Sequence, residues 1–89
     1  MRRARVKVSG QVQGVFYRAT CAERACELGL GGWIRNTGDG GVEAVFEGAP
    51  EAVDAAIGWC RQGPRSARVD SIEVVEEVPS GEQGFRVTA

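Results

Sequence analysis

The chain contains no histidine, and only one lysine (Lys7), one tyrosine (Tyr17) and one asparagine (Asn36). Without histidine there is no Ser-His-Asp or Cys-His pair, no imidazole base and no histidine-ligated metal. Cysteine is sparse and odd in number: Cys21, Cys26 and Cys60 show no CxxC spacing. That pattern argues against a zinc knuckle, a thioredoxin-type motif or a disulfide framework. No apolar run approaches the roughly 18–20 residues of a membrane span, and the first residues lack the apolar core of a secretion signal. Free thiols suit a reducing compartment, so a cytoplasmic location is expected. A charge excess is missing as well, since 11 basic residues meet 12 acidic ones for a net −1. That balance is a poor start for gripping a long polyanion, whose affinity comes from many phosphate contacts. The basic cluster Arg2, Arg3, Arg5 and Lys7 reads as the outward face of a strand. The expected partner is therefore a small molecule, with no nucleic acid or membrane, and the expected state is a monomer.

What is present fits one globular domain spanning residues 1–89, with 43% hydrophobic and 26% charged residues. Ala4 to Ser9 alternates apolar and polar, as a half-buried strand does. Tyr17 to Leu28 turns helical, with Ala22, Ala25, Cys26 and Gly29 at i, i+3, i+4 and i+7, and Gly29 placed to end the helix. Gly32 to Thr37 and Val42 to Glu47 read as paired strands around the Gly38-Asp39-Gly40-Gly41 turn. Pro50 opens a second helix, on which Val53, Ala56, Ile57 and Cys60 form an apolar stripe, and Gly63-Pro64 closes it. Val69 to Val78 and Phe85 to Thr88 complete the set. The order β-α-β-β-α-β plus a short terminal strand predicts an α+β fold. It is a ferredoxin-like split βαβ sandwich, with two helices on one face of an antiparallel sheet.

That fold hosts many activities, so function must come from a site. The first strand–helix junction, Gly10-Gln11-Val12-Gln13-Gly14-Val15-Phe16-Tyr17-Arg18, is the richest segment. Its glycines allow a tight curl, and the following helix leaves its first amides without partners, which suits a small anion such as a phosphoryl group. Arg18 stands at the positive end of that helix, a placement that costs about 0.3–1 kcal/mol at an exposed site and that a bound anion offsets. The plain alternative is an exposed arginine with no such role. Asn36, at the end of the second strand, offers a donor and an acceptor that do not titrate, suited to holding a water. Its plain alternative is a strand-end asparagine bonding its own backbone. Neither GxxxxGK[ST] nor GxGxxG is present.

Gly10-x-Val12-Gln13-Gly14-Val15-x-Tyr17-Arg18, followed by Gly32-Trp33-Ile34-x-Asn36-Thr37-x-x-Gly40-x-Val42, closely resembles acylphosphatases. The likeness runs on through Gly48-Ala49-Pro50, Ser66-Ala67-Arg68-Val69-Asp70 and Phe85, covering nearly the whole chain. The resemblance implies hydrolysis of a carboxyl–phosphate mixed anhydride to a carboxylate and inorganic phosphate, with no metal and no cofactor. It implies that Arg18 binds the phosphoryl group and that Asn36 orients the attacking water. The amides of Gln13, Gly14, Val15, Phe16, Tyr17 and Arg18 match the family's phosphate cradle, and Thr37 matches a supporting threonine. Inorganic phosphate is then both product and inhibitor. Two departures stand out: Gly41 replaces a threonine common after the hairpin turn, and the end at Val87-Thr88-Ala89 is shorter than in many members. They bear on the stiffness of the hairpin and on the packing of the last strand.

The chemistry suits an inventory without histidine. The leaving carboxylate has a conjugate acid of pKa near ~4 and needs no general acid. Holding the phosphoryl group, neutralising it and aiming a water are then the remaining tasks. A different class, a non-catalytic module for a small phosphorylated or carboxylated ligand, uses the same cradle and is told apart by turnover. An RNA-binding sheet is disfavoured, because Val42 to Glu47 carries one aromatic and two acids rather than a stacking platform. Cys26 and Cys60 are expected as buried small hydrophobes on the two helical stripes. A bridge between them needs the helices side by side.

Overall fold

A computed structural model describes Met1–Ala89. The chain runs β1 (Arg2–Gln11), α1 (Tyr17–Glu27), β2 (Gly31–Asn36), β3 (Val42–Gly48), α2 (Pro50–Gln62), β4 (Arg68–Glu77) and β5 (Phe85–Val87). The strands form one sheet in the order β4-β1-β3-β2-β5. The β1–β3, β1–β4 and β2–β3 pairs are antiparallel, as expected of the split βαβ arrangement. The short β5 adds parallel to β2, through Gly32–Phe85, Trp33–Arg86 and Ile34–Val87, so the sheet is mixed.

Alternation along β1 sets the two faces. Ala4, Val6 and Val8 are buried beneath the helices together with Ile34, Val42, Ala44 and Phe46. Arg3, Arg5 and Lys7 project from the opposite face and pair with Glu77, Glu43 and Asp39, as a strand's outward face does. Trp33 also lies on that face, with the Arg5 and Arg35 guanidinium groups 5.4 and 5.8 Å from its ring.

The α2 stripe is buried as its spacing predicts, through Val53, Ala56, Ile57 and Cys60. The α1 stripe is not the expected one. Its buried residues are Tyr17, Cys21 and Ala25, and Cys26 is exposed. Tyr17 explains the rotation: its hydroxyl donates to the Cys60 carbonyl over 2.7 Å, and its ring lies 5.1 Å from that of Trp59. A large side chain anchored this way outweighs the weak apolar preference of alanine and cysteine. The helices do lie side by side, but the thiols facing each other between them are Cys21 and Cys60. Hydrogen bonding to Cys60, reinforced by burial, pushes the Cys21 thiol up from its ordinary value. All three cysteines are free. No helix is long and apolar enough to cross a membrane.

The connection from β4 to β5 must travel from one sheet edge to the other. Glu47, at the end of the central β3, holds that crossing. The residue is only 3% exposed. It accepts from the amides of Ser80, Gly81 and Glu82 at 2.9, 2.8 and 2.8 Å, and Arg3 lies 3.3 Å away.

Candidate active site

β1 ends in a register shift between Ser9 and Gly10 that turns the chain out of the sheet toward α1. Gly10 has φ 136°, and a Cβ there would lie 2.1 Å from the Arg68 carbonyl oxygen, so no side chain fits. Gly14 and Phe16 then adopt left-handed conformations, with φ 73° and 64°. Such conformations curl a loop so that successive amides turn to one side. None of the amides from Gln13 to Ala19 donates a hydrogen bond to another protein group. α1 has no side-chain N-cap and no acidic residue in its first turn. A helix start of this kind forgoes about 1 kcal/mol of capping and leaves its donors for a ligand.

Beside these amides lies a cavity of about 240 Å³ lined by Val12, Gly14, Phe16, Tyr17, Arg18 and Ala19. Arg18 is half-buried. It has no carboxylate partner, unlike the other sheet and α1 arginines, each of which pairs with an Asp or Glu. Arg61 and Arg65 are also unpaired, but both are exposed and lie outside the cavity. Arg18 is therefore the one cation at the curled loop without a carboxylate partner. Tyr17 is chiefly a core residue, buried, with its hydroxyl committed to Cys60.

Asn36 closes β2 opposite Val42 and is half-buried. Its Oδ1 is buried and accepts no hydrogen bond from the protein. The plain alternative, an asparagine bonding its own backbone, is thus not met at that atom. Buried polar atoms are normally satisfied, so an orphaned acceptor is exceptional in the fold. Asn36 is not part of the cavity lining. What ties it to the loop is Gln13, whose Nε2 donates to the carbonyls of Thr37 and Gly41, both at 2.8 Å.

Thr37 is turned toward the hairpin rather than toward Asn36. Its hydroxyl donates to Asp39, which also pairs with Lys7 at 3.2 Å. The Thr37 hydroxyl first, and then Lys7 and the Gly41 amide, pull the Asp39 carboxyl down to about 2. The hairpin therefore gains from Gln13 and Asp39 the stiffness that Gly41 alone does not provide.

Two contacts were not foreseen from residue types. The first is the Gln13 bridge. The second is Ser66, in the turn between α2 and β4, whose hydroxyl donates to the Val15 carbonyl over 3.0 Å. In a trans peptide the carbonyl and the following amide point in opposite directions, so this bond also fixes the Phe16 amide. Gln13 and Ser66 both stood within recognisable motifs, and that was the only signal for them.

Comparison with known proteins places the whole chain in one group. The family model for acylphosphatase matches residues 4–87. The acylphosphatase of Rubrobacter xylanophilus is 56% identical over 97% of this chain and 79% of its own length. That of Thermococcus kodakarensis is 52% identical over 96% of this chain and 93% of its own. Among solved structures, the acylphosphatase from Bacillus subtilis superposes with a TM-score of 0.96 at 31% identity, covering 100% of both chains.

Proposed function

The chain belongs to the acylphosphatase family and hydrolyses acyl phosphates, and we propose that Arg18 and the loop amides hold the phosphoryl group while Asn36 aims the water. The observation that carries this is the pairing of an uncompensated Arg18 with an uninterrupted run of undonated amides on one loop. Those groups meet the phosphoryl oxygens with charge and fixed dipoles, which act without reorganisation when charge shifts in the transition state. The amides are those of Gln13, Gly14, Val15, Phe16, Tyr17 and Arg18.

The step balances with these groups alone. The water oxygen bonds to phosphorus as the bond from phosphorus to the acyl oxygen breaks, and the electron pair leaves with the carboxylate. The water's proton passes to a phosphoryl oxygen, since no base stands at the site. The orphaned Asn36 Oδ1 supports the water-holding role, because it is an acceptor with nothing in the protein to accept from. Thr37 supports Asn36 from the adjacent position by fixing the hairpin through Asp39. Metal and cofactor have no part in this reading. Inorganic phosphate, which presents the same oxygens, is product and inhibitor. The protein works as a monomer in the cytoplasm, a compartment in keeping with its free thiols.

The test is to mix the protein with benzoyl phosphate and follow loss of its ultraviolet absorbance. Saturable loss, competitively inhibited by inorganic phosphate, is the expected result. Tight phosphate binding without turnover would instead make the chain a binding module.

A further inference from the structure

Phe16 combines three features that no core or fold requirement explains. It is 78% exposed, among the largest exposures of any bulky apolar side chain in the protein. It is the only non-glycine residue with a positive φ, at φ 64° and ψ 19°. It also lines the cavity that holds Arg18 and Gly14. A left-handed conformation is unfavourable for a residue with a bulky Cβ substituent, and an exposed phenyl ring forgoes the burial that normally stabilises it. Asparagine or glycine takes the same conformation more readily, so the loop's curl does not call for phenylalanine.

We propose that the Phe16 side chain is the contact for the acyl group, so that aromatic and bulky apolar acyl phosphates are preferred over small ones. This rests on the phosphoryl-binding role given above to the loop. The geometry of a mixed anhydride supplies the link. Its acyl carbon is one oxygen away from phosphorus, so seating the phosphoryl group on the loop amides leaves the acyl group at the cavity wall. Phe16 contributes to that wall with its ring and to the cradle with its amide. Arg18 meets the charged end, and a phenyl face meets the apolar end. An aromatic acyl group gains an offset-stacked or edge-to-face contact there, and an acetyl group is too small to gain it.

The test compares kcat/KM for benzoyl phosphate and acetyl phosphate on the same preparation, so that any inactive fraction cancels in the ratio. Phe16→Asn keeps a residue tolerant of the left-handed conformation and removes the ring. It is expected to lower the benzoyl-to-acetyl ratio by about 3- to 10-fold. Phe16→Leu, which keeps apolar bulk, is expected to lower it by about 2-fold. An Asn ratio equal to that of the parent protein would overturn the proposal, and if that variant is inactive on both substrates the Leu ratio decides by the same criterion. Failure of the underlying reading looks different: Arg18→Ala would keep the parent's kcat/KM on both substrates and its inhibition by inorganic phosphate.

Discussion

Gln13 donates through its Nε2 to the Thr37 carbonyl at 2.8 Å and so joins the curled loop to the strand end that carries Asn36. The same nitrogen reaches the Gly41 carbonyl, also at 2.8 Å. Each carbonyl has another donor, Gly40 N for Thr37 and Thr37 N for Gly41. Gln13→Ala therefore leaves neither oxygen bare, and the expected loss of stability is only about 1 kcal/mol. Activity depends more sharply on the distance between loop and strand, because small misplacements of reacting groups are costly. The expected outcome is a kcat lower by about 10-fold with KM changed less than 3-fold. A purely structural role predicts full kcat at a temperature well below the melting point.

Arg18 predicts opposite effects on stability and function. It sits in the first turn of α1, where no acidic residue offsets the positive end of the helix, and it has no ion-pair partner. Arg18→Ala should leave thermal stability unchanged or raise it by about 0.3–1 kcal/mol. The same change should lower kcat/KM for benzoyl phosphate by about 10²–10³ and weaken inhibition by inorganic phosphate. Calorimetry and steady-state kinetics on one preparation measure both. A stability loss with intact kinetics would assign Arg18 to the fold instead.

Asn36 should separate turnover from binding. Its Oδ1 is buried without a protein donor, so removing it strands nothing. Asn36→Ala is therefore expected to lower kcat by about 10²–10³ while phosphate inhibition stays close to that of the parent. The parent's pH–rate profile should be flat around neutrality, because the chain has no histidine. A steep limb with midpoint near ~7 would reveal a base elsewhere in the site.

The strengths of individual residue signals account for what was readable beforehand. Val53, Ala56, Ile57 and Cys60 are apolar at unambiguous helical spacing, and α2 is buried on that stripe. In α1 the candidate positions were two alanines, one cysteine and a glycine, which carry little weight. Rotation of that helix follows Tyr17, whose hydroxyl partner lies 43 residues away on α2. The parallel docking of β5 beside β2 was likewise hidden, because three residues carry no register information of their own. Arg18 stood out as a candidate because a cation in the first turn opposes the helix dipole, and Asn36 stood out only through the family resemblance. Gln13 and Ser66 were not, because a side chain bonding a distant carbonyl is determined by which segments meet in space.

Ser66 should matter through the loop rather than through substrate. Its hydroxyl is the only side-chain group holding the Val15 carbonyl, at 3.0 Å, and the residue itself is exposed. Ser66→Ala removes one exposed hydrogen bond, for an expected stability change within about 1 kcal/mol. The Phe16 amide loses its fixed direction, so inhibition by inorganic phosphate should weaken by about 3- to 10-fold. Ser66→Thr keeps the hydroxyl and should restore it. Equal phosphate inhibition in Ser66→Ala and the parent would remove Ser66 from the positioning of the loop.

Glu47 should set the acid limit of the fold. The Ser80 amide above all, followed by the Gly81 amide, Arg3 and the Glu82 amide, hold its carboxyl below the usual glutamate value despite burial. A depressed folded-state pKa means that the unfolded chain takes up the proton first. The stabilisation is thus present in full above the unfolded value of about 4.3, and it drains away as pH falls toward the lower folded value. Glu77, held down by Arg5 and Arg3, and Glu76, held down by Arg2, act in the same direction and the same range. Melting temperature should therefore be nearly constant from neutrality to about pH 5 and decline below it. Glu47→Gln keeps the shape but turns an acceptor-only carboxylate into an amide whose NH2 faces donors. It should lower the melting temperature by several degrees at neutral pH and make the decline below pH ~5 shallower. An acid limb as steep in Glu47→Gln as in the parent would shift the dependence onto the Arg–Glu pairs of the open sheet face.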